Sequence, residues 1–295
     1  MRLTADATDA TTPLPVAHSP PPEPPLTVVE ARSHWSLADL REVWRFRELF
    51  YYLTLRDIKV RYKQTILGVG WSVFQPLATM LVFAVFIGWR GKAAEGVENY
   101  LLFVLAGVLP WVFFSNAVTN AANSLIANER LVTKTYFPRV LLPASNVGAA
   151  LFDFVIGLVL LAIWVAIAGP APTWQLLVAP LAILLLALTA FGFGTLLSAL
   201  IATQRDFRYV LAFGMQLWMF ATPCLYLPVT AFGPTARQWL PLNPAYGLIL
   251  NFRASVLGEE FDWVALGIST VVGLVILALV LVYFKRVDRT LADTL

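Results

Sequence analysis

The chain has 295 residues, 59% of them hydrophobic and 13% charged, with a formal net charge of +3. Soluble globular chains carry roughly 25% charged residues, and here whole stretches of bilayer-spanning length carry none, which excludes a water-soluble globular domain. The single cysteine, Cys224, cannot form an internal disulfide, and both histidines, His18 and His34, lie in the N-terminal arm, which argues against a Cys/His metal site.

In chain order, residues 1–35 are rich in Pro, Thr and Ala and lack the basic start and apolar core of a secretory signal, so they are expected to form a disordered tail. Residues 36–295 read as one transmembrane domain. It opens with a helix over 36–63, where Ser36 and Asp39 resemble a capping pair. Phe46, Leu49, Phe50 and Leu53 recur at i, i+3, i+4 and i+7, and basic residues crowd the rest. Such a helix lies in the headgroup layer or, alternatively, packs as a soluble helix on a partner.

Six apolar stretches follow: 67–89, 100–127, 141–168, 174–202, 209–227 and 263–284. They lack the alternation of an outer-membrane barrel strand, and a backbone inside lipid must satisfy its own hydrogen bonds, so each is expected to be a helix. The fold class is an all-α integral membrane protein with six transmembrane helices. Pro76 and Pro110 are expected to kink the first two. Asp153 is the one charge deep in a span, and it is read as a packing residue bonded to a polar side chain of a neighbouring helix rather than part of a proton relay.

Two connecting segments stand out. The loop after the second span, Asn128–Pro143 (NERLVTKTYFPRVLLP), suggests a short basic helix capped by Asn128 and stopped before Pro138. With little to pack against in its own chain, it suits a groove on a cytoplasmic partner. Residues 228–262 contain apolar pieces too short to cross. Gly233–Pro234 and Asn243–Pro244 each read as a helix start, Asn243 as N-cap and Pro244 as first helical residue. The result is a re-entrant or interfacial hairpin over 232–258 before the last span. Glu259, Glu260 and Asp262 beside it read as a solvated face. Of the 21 Lys and Arg residues, only Arg90, Lys92, Arg237 and Arg253 fall outside if the N-terminus is cytoplasmic, so both termini are placed inside.

No catalytic constellation appears. No GxxxxGK[ST] loop exists to hold ATP, the nearest string, Gly88 to Lys92, having the wrong spacing. An ion-coupled transporter would show several buried charges or an internal repeat. A membrane-embedded transferase would show clustered acids or histidines at one face.

An ordered set of strings then identifies a resemblance. RDIKVRYKQTILGVGWSVFQPL (Arg56–Leu77), the 128–143 loop, TQRDFRYV (203–210), TPCLY (222–226), LNP (242–244) and FKRVDRTLADTL (284–295) are similar to the polysaccharide and polyol-phosphate export permeases of the ABC-2 type. The resemblance covers residues 40–295. It implies a non-enzymatic transport subunit that acts as a homodimer with two copies of a separate ATPase, which binds ATP and Mg. The chain itself is expected to hold no cofactor and no metal, and to bind no nucleic acid. The implied substrate is an undecaprenyl-linked, O-antigen-like polysaccharide crossing the bacterial inner membrane. An ABC-2 permease for a drug or a small lipid stays open as an alternative. Asn128, Glu129, Arg130, Leu131, Lys134, Tyr136, Phe137 and Arg139 would couple to the ATPase. Trp71, Phe74, Trp111 and Trp218 would line a channel, aromatic faces being suited to sliding sugars. The hairpin, with Trp239, Asn243 and Pro244, would act as an external gate.

Overall fold

The computed structural model describes residues 37–63, 68–86, 99–228 and 233–294. The chain divides into Met1–Arg32, which lies outside the described residues together with Ser36 of the expected capping pair, and Ser33–Leu295. All regular structure among the described residues is helical: α1 (Leu37–Arg45), α2 (Arg47–Tyr62), α3 (Gly70–Phe86), α4 (Tyr100–Ala127), α5 (Glu129–Lys134), α6 (Leu141–Ala168), α7 (Ala179–Thr203), α8 (Phe207–Phe220), α9 (Pro234–Trp239), α10 (Tyr246–Leu257) and α11 (Trp263–Thr294). Short 3₁₀ turns at Trp174–Val178, Pro223–Leu225 and Leu240–Leu242 join them.

Four segments are long and apolar enough to cross a bilayer: Tyr100–Ala127, Leu141–Ala168, Trp174–Thr203 and Trp263–Val287. Their ends follow local chemistry. Asn99 Oδ1 accepts from the Leu102 amide (3.2 Å) to start α4, and Asp262 Oδ1 accepts from the Ala265 amide (2.8 Å) to start α11. α10 stops at Gly258, whose φ of 70° is a left-handed conformation that glycine adopts at no steric cost, and the Glu259 amide bonds back to the Ala254 carbonyl at 3.0 Å.

α4 is the axis. It packs against α6 and α7, α7 packs against α11, and α10 fills the space among α4, α7 and α11. Leu102–Trp111 is buried at every position, as is Tyr246–Ser255 of α10. A Cβ on Gly247 would sit 2.2 Å from the Ala265 carbonyl oxygen, so only glycine lets α10 meet the start of α11 this closely. A second, smaller core gathers Leu53, Leu125, Val132, Phe137, Leu141, Leu142 and Phe284 at the opposite end of the bundle.

Several expectations are corrected. The 36–63 helix is divided at Phe46, which leaves helical geometry (φ −90°, ψ 18°). Its apolar face is nonetheless used: Leu53 is buried, and Phe46, Leu49 and Phe50 pack beside it on the second core. α3 is shorter than 67–89, whose ends lie outside the described residues. The fifth stretch is not one helix to Leu227. α8 ends at Phe220, and the chain turns at Thr222–Pro223, because Pro223 offers no amide to continue the ladder. The last helix runs on to Thr294 instead of stopping at Phe284. In the hairpin, whose residue 232 is outside the described residues, α9 begins after Gly233 as expected, but α10 begins at Tyr246, not at Pro244.

Candidate functional site

The end of the bundle that carries α5 presents charge on an apolar anchor. Glu129, Arg130, Thr133 and Lys134 are exposed, whereas Val132 and Phe137 are buried in the second core and Leu131 is half-buried against it. α5 therefore does pack against its own chain, contrary to the expectation, and Phe137 is an anchor and not a surface residue. Asn128 does not cap α5 with its side chain. Its Nδ2 turns back to the Ser124 carbonyl (2.8 Å) and closes α4, while its carbonyl accepts from Leu131 and Val132. Tyr136 is exposed, and its hydroxyl donates to Glu42 of α1 at 3.3 Å. Arg139 is half-buried.

Next to this corner, α2 is tied to α6. Ser145 Oγ donates to Asp57 (3.1 Å), and Asp153, about two turns further along the same face of α6, receives both the Arg61 guanidinium and the Tyr62 hydroxyl. Tyr62 also meets Ser72 of α3 at 2.8 Å. Asp153 is thus the packing residue the sequence suggests, and its partners come from the helix that precedes the spans. Burial lowers the Arg61 pKa, with Tyr62 and Asp57 acting in the opposite sense, and a guanidinium, strongly basic to begin with, stays charged at neutral pH. Arg61, Asp153, Ser72, Gln75, Asn116 and Asn120 line a cleft of about 330 Å³, across which Asn116 Nδ2 donates to Gln75 Oε1 (3.1 Å).

The four named aromatics divide into two kinds. Trp71 and Phe74, 5.5 Å apart on α3, are 52% and 56% exposed. Trp111 is 3% exposed and stands in the core, so within the protomer it lines no surface. Trp218 is half-buried and nested edge-on among Phe193 (4.7 Å), Phe114 (5.1 Å) and Trp111 (6.5 Å). Trp111 thus backs Trp218. The rest of α8 is open: only Leu211 and Met215 are buried, and Phe213, Leu217 and Phe220 are exposed.

The hairpin is bound to the turn after α8 at two points. Asn243 bonds to Ala221, Thr222 and Trp218. Arg253, 1% exposed, donates to the Cys224 carbonyl (2.5 Å) and to Glu259 (3.3 Å), and its guanidinium lies 3.9 Å from the centre of the Phe103 ring. Sequence reasoning counted Arg253 with the external basic residues and Glu259 and Asp262 with a solvated face. Instead Glu259 neutralises a buried arginine and Asp262 caps α11. The available signal was an arginine inside the apolar run LILNFRASVL, since buried charges are paired. Trp239 is 67% exposed at the end of α9.

A family model described as ABC-2 type transporter matches residues 48–257. The chain belongs to the ABC-2 type transporter family. The match takes in α5, most of both cores and the hairpin up to the end of α10. Among relatives of this ABC-2 chain, a protein named O-antigen export system permease protein RfbA from Myxococcus xanthus is 32% identical over 216 residues, 73% of this chain and 82% of the relative. A protein of the same name from Klebsiella pneumoniae is 27% identical over 253 residues, 84% of this chain and 95% of the relative. This ABC-2 transporter chain therefore aligns with most of the length of proteins named as permeases.

Proposed function

We propose that this chain is the membrane permease of an ATP-driven exporter that moves a lipid-linked, O-antigen-like polysaccharide across the bacterial inner membrane. The likeness to O-antigen export permeases along most of both chains carries the reading of the cargo. ATP and Mg belong to a separate ATPase, two copies of which serve a permease homodimer.

In this reading α3, α4, α6, the 174–203 segment, α8 with its following turn, and α11 are six spans, and α9–α10 form a re-entrant hairpin on the outer side. The basic flanks put α2, α5 and both termini in the cytoplasm. Burial of α10 among α4, α7 and α11 supports a hairpin at membrane depth, where irregular backbone needs protein cover. The exposed flank of α8 and the Trp71–Phe74 edge of α3 support a second copy seated there, with Trp71, Phe74 and Trp218 on the conduit and Trp111 behind them. The charged face of α5, with Glu129, Arg130 and Lys134, docks the ATPase, and Asn128, Leu131, Tyr136, Phe137 and Arg139 shape its base. Trp239, Asn243 and Pro244 belong to the outer gate.

The test is co-purification of the permease with an ATPase encoded beside it, followed by ATP hydrolysis in nanodiscs with and without lipid-linked glycan. Glycan-stimulated hydrolysis is expected. A complex stimulated by a small amphiphile and indifferent to glycan overturns the assigned cargo.

A further inference from the structure

The side chain of Asn243 uses its whole hydrogen-bonding capacity on a junction between two elements. Its Oδ1 accepts from the Trp218 indole N–H (2.8 Å) and from the Ala245 amide (3.1 Å). Its Nδ2 donates to the Ala221 carbonyl (3.2 Å) and to Thr222 Oγ1 (2.9 Å). An amide offers two lone pairs and two N–H bonds, so nothing of this side chain is left over for another contact. The backbone beneath it is pinned as well: Ser269 Oγ of α11 lies 2.8 Å from the Pro241 carbonyl and 3.0 Å from that of Asn243, and accepts from the Gly247 amide at 3.0 Å.

The direction of restraint follows from the surroundings. The hairpin side of the junction is set by α11 and by the close approach at Gly247. The α8 side is not, because α8 ends at Phe220 and only one of its faces is buried. Three rings pack edge-on against the Trp218 indole, and the bond to its N–H adds a directional restraint that fixes which edge points to Asn243.

We propose that Asn243 is a positioning residue that orients the Trp218 ring and makes the hairpin and the end of α8 move as one piece. This inference rests on the conduit reading of Trp218 for its functional weight. Displacing the hairpin then necessarily turns or releases that indole, so opening at the outer side and reshaping of the aromatic wall are one event.

The full permease–ATPase complex, labelled with 5-fluorotryptophan, tests this by ¹⁹F NMR, with W218F assigning the Trp218 resonance. N243A is expected to shift or broaden that resonance and to leave in place the signal of Trp44, which lies on α1 away from the hairpin. N243S, a milder change, is read in the same way if N243A does not assemble. In cells, W218F and N243A are each expected to lower glycan export roughly fivefold, the scale of one net hydrogen bond, and the double variant to be no worse than the poorer single. A Trp218 resonance unmoved in both Asn243 variants overturns the proposal, and so do export losses that multiply. A moved resonance with export unaltered upholds the clasp and removes Trp218 from the conduit, which separates the two readings.

Discussion

α4 and α8 are both apolar helices of one bundle, yet they differ in what surrounds them. α4 is enclosed by α6, α7 and α10, and a Cβ on its Gly107 would lie 2.9 Å from the Leu225 carbonyl oxygen. α8 buries Leu211 and Met215 and leaves Phe213, Leu217 and Phe220 open, and around its Gly214 nothing lies within 4 Å of a built Cβ. Apolar composition therefore says that a helix avoids water. It does not say whether protein or something outside the protomer takes water's place.

The contrast can be broken most forcefully with ring truncation. Phe114→Ala on α4 removes a fully buried ring and is expected to cost about 3–5 kcal/mol. Phe213→Ala on α8 should leave protomer stability within about 0.5 kcal/mol, as substitutions outside the packed interior do. Denaturation of the detergent-solubilised monomer compares the two, and equal losses would sink the distinction. Added volume gives the next largest difference. Gly107→Ala should destabilise by about 1–3 kcal/mol through overpacking against backbone, whereas Gly214→Ala should stabilise by up to about 1 kcal/mol through helix propensity.

Asp153→Asn sharpens the comparison at the edge of the bundle, where α2 is held by charge as well as by the apolar contact of Leu53. The pair is partly exposed, with side chains 29% and 16% accessible for Arg61 and Asp153, so a loss of about 1–2 kcal/mol is expected. Arg61→Gln/Asp153→Asn together should lose less than the sum of the singles in the same melts. The smallest effect on the fold should come from Arg130→Glu/Lys134→Glu. These exposed side chains should change stability by under about 0.5 kcal/mol, while ATPase co-purification falls away. Retained association with unchanged export would dismiss the docking role of α5.

The helices that meet protein or lipid along their whole length were legible in the sequence. The ends of α4 coincide with the limits of its uncharged run, between Glu98 and Glu129, and α6 starts just after Arg139 and stops at Gly169–Pro170, where proline cannot continue the helix. The division of α2 from α1 at Phe46 was not legible, since no proline or glycine marks it. Pro223 was visible within the fifth stretch, but a proline does not by itself mark a helix end, since Pro76 and Pro110 lie inside α3 and α4. Periodicity could not separate Trp111, in the core, from Trp71, on the surface, because both lie in stretches apolar on every side. Arg253 and Asn243 were hidden for another reason: their partners are 29 and 25 positions away, across a turn whose path the sequence does not fix.

The footing of α5 has a mechanical consequence. Val132 and Phe137 share one small core with Leu53 of α2, Leu141 of α6, Ala199 of α7 and Phe284 of α11. A close-packed cluster of this kind hardly compresses, so in the proposed docking of α5 on an ATPase a load applied at Arg130 is not absorbed by a bending loop. It is divided at once among four long levers, and a soft spot engineered there, such as Phe137→Ala, would act as slack in the transmission even with every docking charge intact.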